Sequence, residues 1–250
     1  MDELKYDVIG DVHGCYDELK QLLKKLGYQK EHNTYTHKDH RTPVFVGDIT
    51  DRGPNSLRVI QLVYDLVVVH NSALYVPGNH CDKLYRYFLG NAVQLKHGLE
   101  TTVEEYKALS PKEQKSIRHC FMKLYEQAPL YLLLPDVEAI IAHAGIKESL
   151  IGKTGKKVKS FVLYGDTTGE FHPDGRPIRR DWAKYYHGEK WIIYGHTPVY
   201  EPRFKNHTVN IDTGCVFGNK LTACQLPELK VVTVPSNQPF QATKFTTFES

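Results

Sequence analysis

The sequence lacks long apolar runs. None of its hydrophobic stretches approaches the roughly 20 residues that a helix needs to cross a bilayer. Its first residues, MDEL, have neither the basic start nor the apolar stretch of a secretory signal. We therefore expect a cytoplasmic protein with no membrane partner.

Cysteine is scarce and odd in number. The five cysteines are Cys15, Cys81, Cys120, Cys215 and Cys224. They share no C-x-x-C spacing, which argues against a zinc knuckle, and an odd count does not favour a disulfide framework. We expect reduced thiols.

The excess of positive over negative charge is also small. The chain has 32 lysines and arginines against 29 aspartates and glutamates, a net charge of +3. Proteins that bind nucleic acid usually concentrate basic residues on one face. We therefore expect no stable binding to nucleic acid, whereas a mild positive excess suits an anionic substrate.

The first half of the chain alternates short β-branched runs with helical patterns. This order is typical of an α/β fold with βαβ units and a mainly parallel sheet. The predicted strands of this half are residues 6–9, 43–46 and 74–76, and the predicted helices are residues 16–26 and 55–69. At 250 residues, with 41% of them hydrophobic, the chain is predicted to form a single domain spanning residues 1–250.

The second half is richer in strands and follows a helical insert at about 82–127. Within the insert, Ser110, Pro111 and Glu113 provide an N-cap, a proline at the first helical position and a capping-box glutamate. The strands predicted after it are residues 139–142, 190–194, 208–211, 221–226 and 230–234. We interpret residues 153–181 as a long functional loop with short elements inside it, and about 235–250 as a loose tail.

Five polar clusters follow predicted strands along the chain. They are GDVHG at 10–14, GDITDRG at 47–53, GNH at 78–80, HAG at 143–145 and GHT at 195–197. In α/β sheets, ligands bind outside the carboxyl ends of strands, where loops present side chains to a crevice. One such tripeptide means little by itself, but five in order predict one shared site.

The clusters offer carboxylates, imidazoles and an amide oxygen. This mixed set suits manganese, iron, zinc or nickel better than calcium or magnesium. One metal could not use six ligands and stay open to a substrate. Two metals about 3.5–4 Å apart that share a carboxylate could clamp a phosphoryl group and activate a water for in-line attack. We predict two divalent transition-metal ions, manganese first and nickel as the alternative.

The five motifs in this order resemble the phosphoprotein phosphatase branch of the calcineurin-like metallophosphoesterases. The match runs from residue 10 to about 223 and includes the segment from Ile211 to Gly214. The resemblance implies a β-sandwich of two mixed sheets flanked by helices. It also implies that Asp48 bridges two metals, which the matching positions would hold together with Asp11, His13, Asn79, His143 and His196.

The same resemblance implies roles for the residues beside these ligands. His80 would be the general acid, with Asp51 keeping it protonated and oriented, because a carboxylate partner raises the pKa of an imidazole. Arg52 would bind the substrate phosphate through its fork of donors. A second arginine usually completes the clamp, and either Arg179 or Arg180 is the candidate. For the nine other histidines we expect ordinary solvated or core positions.

The sequence departs from that branch at Cys81, where a glutamate is common. With the segments 81–87, 165–169 and 179–182, it resembles a narrower bacterial group, the PrpE-type asymmetrical bis(5'-nucleosyl)-tetraphosphatases. That resemblance implies cleavage of diadenosine tetraphosphate to ATP and AMP. Cys81 itself is interpreted as a packed neutral thiol rather than a metal ligand.

Basic and aromatic residues near the motifs leave alternatives open. Lys83 and Arg86 lie one helical turn apart and could extend a positive surface towards the outer phosphates, or could simply form a solvated helix face. Tyrosines such as Tyr185 and Tyr186 could stack on a base or pack in the core.

Three functions follow as hypotheses. The first is asymmetrical hydrolysis of a dinucleoside polyphosphate, and the second is a serine/threonine or tyrosine protein phosphatase that uses the same site on a phosphorylated protein or small molecule. The third is an inactive metal-binding scaffold. Because every inferred ligand is present, we favour an enzyme.

Overall fold

A computed structural model describes residues 4–32, 34–171 and 177–248. The strands are β1 (Tyr6–Ile9), β2 (Tyr28–Glu31), β3 (Thr34–His37), β4 (Thr42–Val46), β5 (Leu74–Val76), β6 (Leu132–Leu134), β7 (Ala139–Ile141), β8 (Thr167–Phe171), β9 (Pro177–Arg179), β10 (Trp191–Tyr194), β11 (Arg203–Lys205), β12 (Thr208–Asn210), β13 (Lys220–Leu226) and β14 (Lys230–Pro235). The α-helices are α1 (Tyr16–Leu26), α2 (Ser56–Tyr64), α3 (Asn79–Phe88), α4 (Leu99–Lys107), α5 (Pro111–Gln127) and α6 (Lys156–Tyr164).

Two five-stranded sheets form the centre of the molecule. The first has the strand order β14-β13-β1-β4-β5 and the second β11-β12-β10-β7-β6. In each sheet the three strands β1, β4 and β5, or β7, β10 and β12, run parallel, and antiparallel strands flank them. The predicted α/β sandwich with two mixed sheets is confirmed.

Alternation along the strands builds two separate hydrophobic layers. Val8 and Val44 point between the sheets and pack with Ile141 and Ile193 of the second sheet. Neighbouring residues such as Ile9 point to the opposite face, because successive side chains of a strand alternate sides. One apolar strand therefore contributes to both cores.

Helices cover the outer face of each sheet. The leucines of α1 recur at positions 19, 22, 23 and 26, which places them on one buried face. Helices α2 to α5 pack into the same cluster. Helix α6 instead packs Phe161 and Val162 against Ile140 and Ile192 of the second sheet.

The predicted helical insert consists of three helices, and the first begins at Asn79 rather than at 82. Ser110 caps α5 through its side chain, and Glu113 accepts the Ser110 N–H, so the capping box is formed. Residues 55–69, predicted as one helix, divide into α2 and a π-helical turn at Asp65–Val69.

Strands β2, β3, β6 and β11 had not been predicted. Strands β2 and β3 form a hairpin, whose polar, exposed residues have no clear hydrophobic alternation. Residues 153–181 were interpreted as a long loop with short elements inside it. Its described residues, 153–171 and 177–181, contain the nine-residue helix α6 and the antiparallel pair β8 and β9. A helix this short with a lysine-rich first turn gives a weak periodic signal.

The described part of the predicted tail, residues 235–248, packs on α1 and on the loop after β10. Glu18 accepts the N–H of Asn237, and Phe245 stacks on Tyr200 at a ring distance of 4.4 Å. All five cysteines are buried and free. Within the described segments, we find no helix with both the length and the apolar character that a membrane span requires.

Candidate metal centre

The carboxyl ends of the parallel strands meet at one edge of the sandwich. Each strand there ends in a polar segment, and these segments supply Asp11 and His13 after β1, Asp48 after β4, Asn79 after β5, His143 after β7 and His196 after β10, with Asp212 following β12. Parallel strands bring side chains from distant parts of the sequence to the same place. The structure therefore brings together all six predicted metal ligands.

Asp48 lies at the centre of this group and is buried. Its Oδ2 atom is 3.4 Å from Nε2 of His143 and 3.8 Å from Nε2 of His13. Its Oδ1 atom accepts the backbone N–H of His80 at 2.9 Å. A carboxylate that faces both imidazoles is placed as a bridging ligand has to be.

A glycine allows this position of Asp48. A Cβ atom on Gly78 would lie 2.0 Å from the Asp48 Oδ1 atom. Any side chain there would displace the carboxylate. The glycine of the GNH motif is therefore required for close approach.

Three groups with lone pairs converge on Nε2 of His143. The Oδ1 atom of Asn79 is 3.1 Å away, Nδ1 of His196 is 3.0 Å away, and Asp48 completes the set. The other ring nitrogen, Nδ1, lies 3.1 Å from the carbonyl oxygen of Val46 and can donate to it. The lone pairs of Asn79, His196 and Asp48 therefore surround Nε2 of His143, and a cation there would satisfy all of them.

The charges of the site agree with that geometry. Burial opposes protonation of His143, but Asp48 and Asp11 outweigh it and raise the pKa of His143 to about 9. Burial also opposes ionisation of Asp48, yet His143, His80 and His13 together hold the pKa of that carboxyl well below its ordinary value. The site stabilises a positive charge beside an ionised carboxylate.

Asp11 lies on the other side of His143. Its Oδ2 atom accepts the N–H of His196 at 3.0 Å, and its Oδ1 atom is 3.9 Å from Nδ1 of His143. Burial and the neighbouring Asp212 raise the pKa of Asp11 well above its ordinary value. Burial likewise raises the pKa of Asp212 to about 6. Two buried carboxyls this close need a cation to ionise together.

The donor set fits two divalent metal ions. The Asp11 Oδ1 and His196 Nε2 atoms are buried and have no hydrogen-bond partner, a state that costs free energy in a protein interior. Of the three clusters among the described residues whose ligand atoms lie within 4.8 Å of one another, two include Asp48: one adds His143 and His196, the other His13 and His80. The second cluster contains His80 where Asp11 was expected, so assigning Asp11 to the first metal stays a prediction.

His80 and Asp51 form a buried pair. The Nδ1 atom of His80 is 2.7 Å from Oδ2 of Asp51. The hydroxyl of Thr102 donates to the other carboxylate oxygen of Asp51 at 2.7 Å. The Asp51 N–H points at the hydroxyls of Ser56 and Thr102, each at 3.0 Å. Both oxygens of Asp51 are thereby oriented, and His80 keeps Nε2 for the site.

Arg52 points at the same metal ligands. Its Nη1 atom donates to Nε2 of His13 at 2.8 Å, while Nδ1 of His13 is 2.7 Å from the carbonyl oxygen of Thr50. Nε2 of His13 therefore bears a lone pair, which is what metal coordination requires. Burial, followed by Arg52 and His80, holds the pKa of His13 well below its ordinary value.

The structure separates the two candidate arginines. The Nε atom of Arg179 donates to the Tyr164 carbonyl oxygen at 2.9 Å, and after burial the positive charge of Arg179 is the main cause of the lowered pKa of His196. Arg180 lies on the exposed side, where its Nη1 atom is 3.4 Å from Asp166. The two arginines therefore differ in their surroundings, and the choice of Arg179 or Arg180 as the second phosphate ligand stays a prediction.

Lys83 and Arg86 also point in different directions. Lys83 donates to the Lys96 carbonyl oxygen at 2.6 Å and lies near enough to Asp51 to interact with its charge. Arg86 donates to Asp82 at 3.0 Å. Substrate binding by Arg86 remains a prediction without a contact to the metal ligands.

Cys81 is fully buried behind the site. Burial raises the pKa of its thiol to about 12. A neutral, packed thiol is therefore its state at ordinary pH, as the sequence had suggested.

Some functional residues had no signal in the sequence. Thr102 lies in the helical insert, outside every motif, and holds Asp51 only because α4 folds back over the site. His97 is exposed, in keeping with the ordinary solvated or core position expected for it, and burial with its neighbours Lys83 and Arg52 lowers its pKa. Asp212 belongs to a quoted motif, and its position after β12 could have marked it.

The comparisons with known proteins agree with this geometry. Residues 4–200 match the calcineurin-like phosphoesterase family. A relative from Oceanobacillus iheyensis, named bis(5'-nucleosyl)-tetraphosphatase PrpE [asymmetrical], is 64% identical over 245 residues, 98% of this chain and 98% of the relative. A relative of the same name from a Geobacillus strain is 59% identical over 246 residues, 98% of this chain and 100% of the relative.

A solved structure provisionally named a diadenosine tetraphosphatase has the same fold. It superposes with a TM-score of 0.67 at 21% identity and covers 94% of each chain. Identity this low supports the fold alone.

Proposed function

Because the chain belongs to the calcineurin-like phosphoesterase family, we propose that it is a dinuclear-metal hydrolase that cleaves diadenosine tetraphosphate asymmetrically into ATP and AMP. The observation that supports the chemistry is the convergence of ligand lone pairs around Asp48 and His143. The names of the relatives support the substrate.

Asp48 is proposed to bridge the two metal ions. Asp11 and His13 would complete one site, and Asn79, His143 and His196 would complete the other. When bound, two such ions neutralise charge on a phosphoryl group and lower the pKa of water. Manganese is the proposed metal and nickel the alternative, because nitrogen and oxygen ligands together suit both.

The side chains around the metals perform the remaining steps. Arg52 and Arg179 would bind the phosphate oxygens and orient the phosphoryl group for attack. His80 holds a proton at Nε2, which faces the leaving oxygen, while its Nδ1 atom is fixed by Asp51. Transfer of that proton prevents charge from building up on the departing nucleotide.

The substrate is proposed to bind along a basic surface. The ammonium of Lys83 lies near Arg52, so the positive surface extends outwards from the metal site. Such a surface favours a chain of several phosphates over a single one. We also propose a cytoplasmic location, where nucleotides are the abundant anhydride substrates.

Product analysis tests this proposal. Metal-loaded protein incubated with diadenosine tetraphosphate is expected to release ATP and AMP in equal amounts, resolved by ion-exchange chromatography. Release of two ADP molecules, or no turnover, would contradict it. A phosphoserine and a phosphotyrosine peptide serve as parallel substrates, and faster turnover of either would favour a protein phosphatase.

A further inference from the structure

A cavity opens beside the HAG loop, on the outer side of the second sheet. Its volume is about 550 Å³, and it is lined by Lys147, Glu148, Ser149, Asp166, Trp182, Tyr185 and Tyr186. Pockets for small ligands have volumes of about 300–1,000 Å³. We propose that this cavity binds one nucleoside end of the dinucleotide, with its base stacked on Tyr185; this inference rests on the proposed function.

The cavity lies next to the loop that presents the metal ligand His143. Lys147 follows the metal ligand His143 by four residues, a span of at most about 14 Å. Between them, Gly145 lies so close to Trp182 that an added Cβ atom would fall 1.9 Å from the indole. Trp182 in turn follows Arg179 by three residues. One wall of the cavity therefore packs on the loop that presents a metal ligand.

Tyr185 has the exposure of a binding residue. It is 76% exposed, whereas Trp182 is only 7% exposed and Tyr186 only 3%. The ring of Trp182 packs against Tyr186 and against Phe161, which belongs to α6. The buried rings thus form a rigid base, and Tyr185 remains as an unburied aromatic surface on which a base can stack.

The charges of the cavity suit a nucleoside rather than a phosphate. The lining includes the two carboxylates of Glu148 and Asp166 and one ammonium, that of Lys147, which is already paired with Asp166 at 2.7 Å. A polyphosphate would be repelled, but ribose hydroxyls and an exocyclic amine can donate to these oxygens. Arg180 contacts Asp166 and is placed to meet the first phosphate outside the cavity.

Binding of adenosine alone provides the direct test. The chain has two tryptophans, so a Trp191→Phe variant leaves Trp182 as a fluorescent reporter inside the cavity. Adenosine is expected to change this fluorescence in a saturable way, and ribose is not. In the Trp191→Phe background, Tyr185→Ala should weaken adenosine binding about tenfold, as expected for loss of base stacking. Tyr185→Phe in the same background should bind adenosine as tightly as the chain with Tyr185.

Kinetics provide the second measurement. Tyr185→Ala should raise KM about tenfold for diadenosine tetraphosphate and leave KM for p-nitrophenyl phosphate unchanged. Phe204→Ala, which removes an exposed aromatic ring of β11 outside this cavity, should change neither.

The outcomes separate the two proposals. If adenosine binds at Trp182 but the dinucleotide is not hydrolysed, the cavity assignment stands and the proposed function fails. If the dinucleotide is cleaved to ATP and AMP while adenosine causes no fluorescence change and Tyr185→Ala leaves KM unaltered, the cavity assignment is overturned. Equal increases in KM for both substrates overturn it as well.

Discussion

Nδ1 of His80 lies 2.7 Å from Oδ2 of Asp51, and both side chains are buried. This contact orients the imidazole so that Nε2 faces the metal centre. Thr102 fixes the second oxygen of the carboxylate. The helical insert therefore supports the acid as well as covering the sheet.

Replacing Asp51 by asparagine is expected to reduce kcat about 100-fold on diadenosine tetraphosphate, because general acid catalysis contributes about 10²–10⁴ in rate. The loss should be much smaller on p-nitrophenyl phosphate, whose leaving group needs little protonation. Steady-state kinetics on both substrates measure the difference.

Thr102→Val provides the matched control for this prediction. This variant keeps the Asp51 carboxylate and removes the hydrogen bond that Thr102 donates to it. The loss of kcat should therefore be smaller than in Asp51→Asn, and it should again be larger on diadenosine tetraphosphate than on p-nitrophenyl phosphate. Equal losses on both substrates would show that Asp51 acts on folding or metal binding instead.

Arg179 and Arg180 form a natural pair of variants. Arg179→Ala should raise KM for p-nitrophenyl phosphate by roughly 10- to 100-fold, because a hydrogen bond to a charged group is worth about 1.5–3 kcal/mol. Arg180→Ala should change it less than about threefold, since an exposed ion pair contributes little. The reverse order would assign the phosphate contact to Arg180.

Metal content tests the bridging role of Asp48. We expect two manganese ions per chain after loading, one in His196→Ala and fewer than one in Asp48→Asn, measured by elemental analysis after gel filtration. Binding at a metal concentration 100 times Kd should stabilise the fold by about 2.7 kcal/mol. His119→Ala, on the exposed face of α5, should retain both ions, and a single ion in the unmodified chain would argue against a dinuclear site.

Arg41 forms an ion-pair cluster away from the metals. It donates to Asp7 at 2.8 Å and to Glu228 at 2.9 Å, and it is buried. Arg41→Met leaves the Asp7 charge buried without its partner, which costs about 3–5 kcal/mol. Urea unfolding should show this loss while kcat of the folded fraction is unchanged. The exposed Lys112→Met should alter neither, and a shift below about 1 kcal/mol for Arg41→Met would contradict the prediction.

Because of Asp82, we expect the free energy of unfolding to depend on pH in the acid range. Burial opposes its ionisation, but Lys159 and Tyr125 outweigh burial through hydrogen bonds and lower the pKa of Asp82. An aspartate in the unfolded chain has a pKa of about 3.9. Below that pH the unfolded state therefore binds more protons than the folded state. The stabilisation by Asp82 is therefore complete above pH 4 and is lost as the pH falls through the lower, folded pKa.

Urea unfolding with chelator present measures this contribution. Asp82→Asn should lower the unfolding free energy at pH 6, and the gap between variant and parent should narrow as the pH falls from about 4 towards 2. Lys159→Met should reproduce part of the effect. A constant gap at every pH would show that ionisation of Asp82 is not responsible.

Much of the metal centre could be predicted because its signals are local. Each ligand follows a short apolar strand, and glycines such as Gly78 mark where the backbone must approach a carboxylate. The ligand chemistry of Asp48, His143 and His196 is a property of residue type. Helix α1 and the capping box at Ser110 were predicted at their correct positions for the same reason.

Contacts between distant segments could not be predicted in this way. Thr102 reaches Asp51 across 51 positions of sequence, and no pattern around either residue indicates the partner. The exposed hairpin of β2 and β3 and the short helix α6 have little periodicity of their own.

The sequence by itself determined the order of strands and polar clusters, the types of metal ligand and hence the phosphoesterase chemistry. Hydrophobic periodicity depends on residues that are neighbours in the chain, and ligand chemistry depends on residue type. The tertiary structure decided that Arg179 donates to the Tyr164 carbonyl oxygen while Arg180 pairs with Asp166 on the exposed side, and that Tyr185 is exposed beside a cavity that the buried Trp182 also lines. These outcomes depend on which surfaces pack against each other, and packing is set by the whole chain.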